Sequence, residues 1–202
     1  MIYIVDYGAG NLFSVKNALD YLQVESKITA NPADLKDAGG IILPGVGAFR
    51  DCMTMLNESG FTEELKAQAA AGKPLLGICL GMQMLFEKGY EFGETDGLGL
   101  IPGCVQLIDG GGLKIPHMGW NDLTVLNDCA LSADVHDGDY VYYVHSYRAE
   151  TSDAYISCYT MYNERIPGLV YNKNVYGAQF HPEKSGQVGM QILKNFAKLV
   201  TQ

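Results

Sequence analysis

Short apolar runs alternate with segments of helical spacing through the first 80 residues, and this alternation restricts the fold more than any other feature. "IYIVD" reads as a buried strand and "YGAGN" as a glycine turn. "SVKNALDYL" follows as a helix with Ser14 at its N-cap. "ESKITA" and "GIILPG" are two further strands, followed by the helical stretches "FRDCMTML" and "TEELKAQAAAG". "PLLGIC" is a fourth strand and runs into a predicted helix "LGMQMLFEKG". Strands of this apolar kind, linked by crossover helices, imply a parallel sheet covered on both faces.

Beyond residue 90 the texture changes. "GLGLIPGCVQLI", "DYVYYVHSYRA", "AYISCYTM" and "VYGAQF" are rich in Tyr and Val and are separated by Gly, Asn and Asp turns. A closing helix is expected over roughly residues 186 to 200, with Ile192, Leu193, Phe196 and Leu199 on one face. The expected fold is α/β: one domain over residues 1–202, with an open mixed, mainly parallel sheet and helices on both faces.

Charge and cysteine usage exclude several function classes. The excess of 23 Asp+Glu over 14 Lys+Arg argues against a broad nucleic-acid surface. No apolar run reaches the ~18–20 residues of a membrane span, and "MIYIVDYGAGN" does not have the form of a signal peptide. The five cysteines (52, 79, 104, 129 and 158) are odd in number and include no C-x-x-C pair. Reduced thiols in the cytoplasm are expected, with neither a disulfide framework nor a zinc site.

One of these cysteines stands apart. Gly77-Ile78-Cys79-Leu80-Gly81 has the G-x-nucleophile-x-G pattern of a nucleophile elbow, a sharp strand-to-helix turn whose glycines let the backbone pass close. There the N–H groups of the helix start favour a thiolate and an oxyanion. Taken alone the pattern is equally that of a buried cysteine in a tight turn. "FHPEKS" supplies a base: His181 and Glu183 lie two apart on a segment that Pro182 keeps from being helical. Glu183 could orient the imidazole, and His181 could deprotonate Cys79 and protonate a leaving amine. In "LPGVGAF", Gly45 and Gly47 would let an N–H near Val46 turn toward an oxyanion, although a simple turn before a helix fits equally. Gln83 and the "HSY" of residues 145–147 are candidate contacts for a small polar substrate, or else satisfied core groups.

These stretches together resemble the class I, or triad, glutamine amidotransferases. The finer pattern is similar to the glutaminase subunits of imidazole glycerol phosphate synthase, through "IVDYGAGNLFSVKNAL", "LPGVGAF", "GICLGMQMLFE", "GLGLIPG", "IPHMGWN", "YYVHSY" and "GAQFHPEKS". The resemblance implies hydrolysis of glutamine to glutamate and ammonia through a thioester on Cys79, with His181 shuttling the proton and Glu183 orienting it. It implies an oxyanion hole from the N–H of Leu80 and one near Val46. Gly45, Gly47, Gln83, Glu91, His145, Ser146 and Tyr147 fall at glutamine-pocket positions. No metal or organic cofactor is implied. The implied partner is a (β/α)8-barrel cyclase that receives the ammonia and makes imidazole glycerol phosphate and an aminoimidazole carboxamide ribotide. Asn11, Trp120, Tyr142 and Lys184 would face it.

Three other readings stay open at this level. They are the amidotransferase subunit of another biosynthetic synthase, a partner-binding homologue without chemistry, and a cysteine peptidase or chaperone on a similar fold. "PHMGWN" and "YGAGN" argue against the first, the complete Cys-His-Glu set against the second, and its order along the chain against the third.

Overall fold

The computed structural model describes residues 1–200. The first half runs β1 (Ile2–Val5), α1 (Leu12–Tyr21), β2 (Ser26–Thr29), β3 (Gly40–Gly45), α2 (Phe49–Glu58), α3 (Phe61–Ala70), β4 (Leu75–Cys79) and the single turn α4 (Leu80–Gln83). The second half is strand-rich: β5 (Phe86–Gly89), β6 (Thr95–Asp96), β7 (Ile101–Leu107), β8 (His117–Asp122), β9 (Thr124–Val125), β10 (Tyr140–His145) and β11 (Tyr147–Glu150). It ends with β12 (Ile156–Tyr162), β13 (Glu164–Asn172), β14 (Val175–Ala178) and α5 (Gly186–Val200).

Eight strands form the central sheet in the order β2-β1-β3-β4-β14-β13-β12-β9. The pairings from β2 through to β14 are parallel, and those from β14 to β9 are antiparallel. The sheet is thus mixed and mainly parallel, as the alternating first half implies. Successive side chains of a strand point to opposite faces. On β1, Ile2 and Ile4 pack with Val15 and Leu19 of α1 and with Ile192 and Phe196 of α5. Tyr3 and Val5 pack on the other face with Phe49 and Leu56 of α2 and Phe61 and Leu65 of α3. Helices therefore cover both faces. Two smaller sheets, β10-β8 and β11-β7-β5-β6, adjoin the central one.

Three expectations need correction. Asn11, not Ser14, occupies the N-cap of α1, and Ser14 lies inside the helix. The helix expected over "LGMQMLFEKG" stops after Gln83, and Phe86–Gly89 forms β5, parallel to β7. Tertiary contacts override local helical spacing there: the Met84 carbonyl accepts from Leu98 N–H, and the Leu85 carbonyl from Leu100 and Ile101. "DYVYYVHSYRA" is broken at Ser146 into β10 and β11, which belong to different sheets.

The elbow glycines are explained by packing. A Cβ on Gly81 would lie 1.9 Å from the Leu43 carbonyl oxygen of β3, and one on Gly77 would lie 2.5 Å from the Gly81 carbonyl oxygen. One on Gly45 would lie 2.6 Å from the Gly81 nitrogen. The backbone of α4 thus rests directly on β3 and β4. Gly81→Ala is expected to destabilise the chain by about 3 kcal/mol, the upper end of overpacking costs. The urea midpoint measures this; an unchanged midpoint would mean that α4 and β3 are not in backbone contact.

Candidate active site

The site lies at the carboxyl ends of β3, β4 and β14, the edge at which open α/β sheets bind ligands. Gly45 and Cys79, the last residues of β3 and β4, are register partners. Cys79 has φ 56° and ψ −113°, an uncommon conformation for a residue with a Cβ. This sharp turn ends β4 at Cys79 and starts α4 at Leu80. The Cys79 side chain is buried, and its thiol reaches the Val144 carbonyl of β10 at 3.9 Å.

β14 runs beside β4 and carries the chain past Ala178 to His181. There the His181 N–H donates to the Tyr142 carbonyl at 3.0 Å. Ser185 secures the segment: its hydroxyl donates to the His181 carbonyl at 2.6 Å and accepts from Tyr142 N–H at 3.0 Å. His181 Nδ1 meets Glu183 Oε1 at 2.8 Å, with both side chains almost wholly buried. Glu183 Oε2 has no hydrogen-bond partner. A carboxylate can only accept, so Nδ1 carries the proton and Nε2 is left for the thiol side. Burial pulls the His181 pKa down, but the Cys79 thiol and the Glu183 carboxylate outweigh it and raise the value to about 9.

A cavity of about 320 Å³ opens on these groups. Cys79 and His181 line it together with Val46, Gly47, Leu80, Gln83, Glu91, His145, Ser146 and Tyr147. Of the residues expected at the substrate pocket, only Gly45 is absent from the wall; it lies behind, against Gly81. Gln83 Nε2 donates to the Tyr147 carbonyl at 2.9 Å and to Gln179 Oε1 at 3.0 Å. Glu91 Oε2 accepts the Phe49 N–H at 2.7 Å, satisfying an orphan donor in the first turn of α2. The Val46 carbonyl accepts from the Cys52 thiol at 3.2 Å, and Gly47 takes φ 105°, so the turn that follows β3 is anchored from behind. His145 contributes a wall rather than a free nitrogen, because both of its ring nitrogens are engaged.

Pro116 and Val144 also line the cavity and were not anticipated. Pro116 lies within "IPHMGWN" and Val144 within "YYVHSY", stretches that were singled out, but an apolar wall residue carries no signal of its own. Among the described residues, no group of three His, Cys, Asp or Glu side chains is placed to hold a metal ion. None of their helices is long and apolar enough to cross a membrane.

The residues expected to face a partner surround the same edge. Trp120 and Tyr142 are cross-strand partners on β8 and β10, with ring centroids 6.0 Å apart. Met118, two residues from Trp120 and therefore on the same face, is exposed like the indole and pairs with Val144 of the cavity wall. Lys184 is exposed directly after Glu183, and Asn11 stands at the N-cap position of α1 beside that segment.

The sequence model of the family described as glutamine amidotransferase class-I matches residues 3–200. The chain belongs to this family. A further similarity is to the imidazole glycerol phosphate synthase subunit HisH of Listeria monocytogenes serotype 4b (strain CLIP80459), 48% identical over 201 residues, 99% of this chain and 96% of that protein. The protein of the same name from Caldanaerobacter subterraneus subsp. tengcongensis is 47% identical over 201 residues, 99% of this chain and 98% of its own length. Among solved structures, PurLQS from Thermotoga maritima superposes with a TM-score of 0.77 at 22% identity, over 98% of this chain and 97% of that one. It supports the amidotransferase fold.

The raised pKa of His181 has a sign that can be tested in this amidotransferase. Its protonated ring contributes stability that is fully present below pH about 6.5 and is lost as the pH rises through about 9. Relative to His181→Gln, the parent chain is expected to lose stability across that window in denaturation midpoints. In Cys79→Ala the imidazole loses one of its two partners, and its NMR titration should move to lower pH. An unmoved titration would mean that thiol and imidazole do not interact.

Proposed function

We propose that this chain is the glutaminase subunit of an imidazole glycerol phosphate synthase, hydrolysing glutamine to glutamate and ammonia for a partner cyclase in histidine biosynthesis. One observation carries the reading. A cysteine at a strand–helix elbow shares a cavity with a histidine held 2.8 Å from a buried glutamate, in a chain 48% identical over 99% of its length to a subunit of that synthase.

The chemistry follows from the positions of the groups. Glutamine occupies the cavity with its side-chain amide carbon at the Cys79 sulfur. His181 Nε2, made more basic by Glu183, already holds the proton drawn from the thiol, and the sulfur attacks paired with the imidazolium. The oxyanion is held by the N–H of Leu80, at the start of α4, and by an N–H near Val46 in the Gly45–Gly47 turn. The imidazolium then protonates the leaving nitrogen, and ammonia departs. Water enters, loses a proton to His181 and hydrolyses the thioester, which releases glutamate and restores the thiol. Gly45, Gly47, Gln83, Glu91, His145, Ser146 and Tyr147 form the pocket and its support. No metal or organic cofactor takes part.

Ammonia released to bulk water at neutral pH would be protonated and lost as a nucleophile. A docked partner that takes the ammonia directly avoids this loss; by the family resemblance it is a cyclase of (β/α)8-barrel form over the face that carries Asn11, Trp120, Tyr142 and Lys184, and the pair works in the cytoplasm. The exposed aromatic face of the β8/β10 ribbon supports this placement, since Val144 on the same ribbon touches the thiol. The glycines of residues 44–47 permit a resting turn with an incomplete oxyanion hole, completed on docking. A lost donor of that kind costs about 3–4 kcal/mol in the transition state.

Cys79→Ala is expected to abolish ammonia release from glutamine while leaving the fold intact, and an activated glutamine analogue should label Cys79 alone among the five cysteines. His181→Ala should lose about 10²–10⁴-fold in rate, with Glu183→Gln milder. Turnover at the parental rate in either His181→Ala or Cys79→Ala overturns the triad. Rates for the subunit alone, with cyclase, and with cyclase plus its phosphate ligand should rise in that order. Equal rates in all three overturn the control by docking and leave the triad standing.

A further inference from the structure

The "PHMGWN" stretch contains a buried histidine that the proposed reaction does not use. His117 is the first residue of β8 and the register partner of His145, the last residue of β10. It is only 2% exposed and is not part of the cavity wall. Its ring is sandwiched between Tyr143, at 4.6 Å and 26°, and Tyr162, at 4.1 Å and 23°.

The hydrogen bonds around it admit one proton arrangement when both rings are neutral. His145 Nδ1 lies 2.8 Å from the Tyr147 carbonyl, which can only accept, so Nδ1 carries the hydrogen. In a neutral ring Nε2 is then an acceptor. It faces His117 Nδ1 at 3.0 Å, which must donate. His117 Nε2 in turn accepts from Asn121 Nδ2 at 3.4 Å. The Asn121 amide is itself oriented, because Nδ2 donates to the Met161 carbonyl at 3.3 Å and Oδ1 accepts from Asp122 N–H at 3.0 Å. A proton added to either ring would set two donors against each other. Burial favours the neutral form of both rings, lowering His117 to about 4 and His145 to about 3.

The end of this relay is the Tyr147 carbonyl, which also accepts from Gln83 Nε2 at 2.9 Å. That oxygen joins residues 145–147 on one side of the cavity to α4 on the other. We propose that His117 is a positioning residue for the glutamine pocket: it fixes the tautomer of His145, and through it the Tyr147 carbonyl that ties the two walls together. This rests on the glutaminase reading above. His117 touches no reacting atom, so its removal loosens glutamine binding rather than the chemical step.

Two variants separate its hydrogen bond from its packing. His117→Phe keeps a ring between the tyrosines but leaves His145 Nε2 a buried acceptor with no donor. His117→Asn loses the ring but keeps an N–H near the place of Nδ1. With cyclase bound, His117→Phe is expected to raise KM for glutamine about tenfold with kcat nearly unchanged, the loss that one unpaired buried acceptor brings. His117→Asn should recover most of that KM. A second measurement needs no turnover: nitrogen-15 NMR of the parent chain at neutral pH should show His117 and His145 both as neutral Nδ1–H tautomers. A parental KM in His117→Phe overturns the proposal, as does an Nε2–H tautomer or an imidazolium at either ring. Wild-type complex that releases no ammonia from glutamine refutes the function instead, and the tautomers then decide on the relay alone.

Discussion

The backbone of Gly81 lies against the carbonyl of Leu43, and the rest of the site depends on that contact. A helix that starts from a strand end normally stands off its sheet by the thickness of its side chains. Here Gly77 and Gly81 remove those side chains, so the first turn of α4 sits down between β3 and β4. Cys79 must then turn sharply at positive φ, and its buried side chain lines the cavity at the sheet edge. The same contact brings Leu80 and the turn after β3 together in the cavity lining. Backbone strain at the cysteine is sustained because the packed strands on either side leave α4 no other seat.

The change from parallel to antiparallel pairing within the sheet does the complementary work. β13 and β14 form a tight hairpin, and β14 therefore enters beside β4 in the same direction. Two chain segments separated by about a hundred residues thus end at one edge, the elbow after β4 and the His181 segment after β14. β10 closes the arrangement from a different sheet. It accepts the His181 N–H, donates the Tyr142 N–H to the Ser185 hydroxyl, and offers the Val144 carbonyl to the thiol. The β8/β10 ribbon and the edge that carries Cys79 and His181 are consequently parts of one hydrogen-bonded unit.

Much of this was legible because the sequence encodes it locally. Alternation of apolar strand and amphipathic helix gave the parallel half of the sheet, and the spacing of Gly77, Cys79 and Gly81 marked the elbow that the backbone contacts then explained. His181-Pro182-Glu183 encodes its own geometry within three residues. What could not be read was set by distant partners. The helix expected after Gln83 fails because carbonyls of Met84 and Leu85 are claimed by residues 98–101. Glu91 was placed at the pocket by resemblance, but its hydrogen bond to Phe49 N–H spans 42 residues and no local pattern foretells it. His117 and Gln179 are likewise defined by cross-strand or cross-element partners, and Pro116 and Val144 matter only as surfaces.

The cavity and its surroundings hold three imidazoles in two opposite electrostatic conditions, and the difference traces to their partners. His117 and His145 are buried with carbonyl, amide and one another for company, so desolvation outweighs the Tyr147 carbonyl at His145 and both favour the neutral form. His181 is also buried, yet the Glu183 carboxylate and the Cys79 thiol reverse the sign. The two conditions reinforce each other, since a charge on His181 further disfavours a proton on His145. A second positive ring would compete for the thiol's electrostatic interaction and break the bond to His117. In the proposed reaction, keeping one imidazole basic and its neighbour neutral assigns proton transfer to a single residue and leaves the other free to act as a fixed wall, which is how titratable groups of one type can share a pocket without sharing a role.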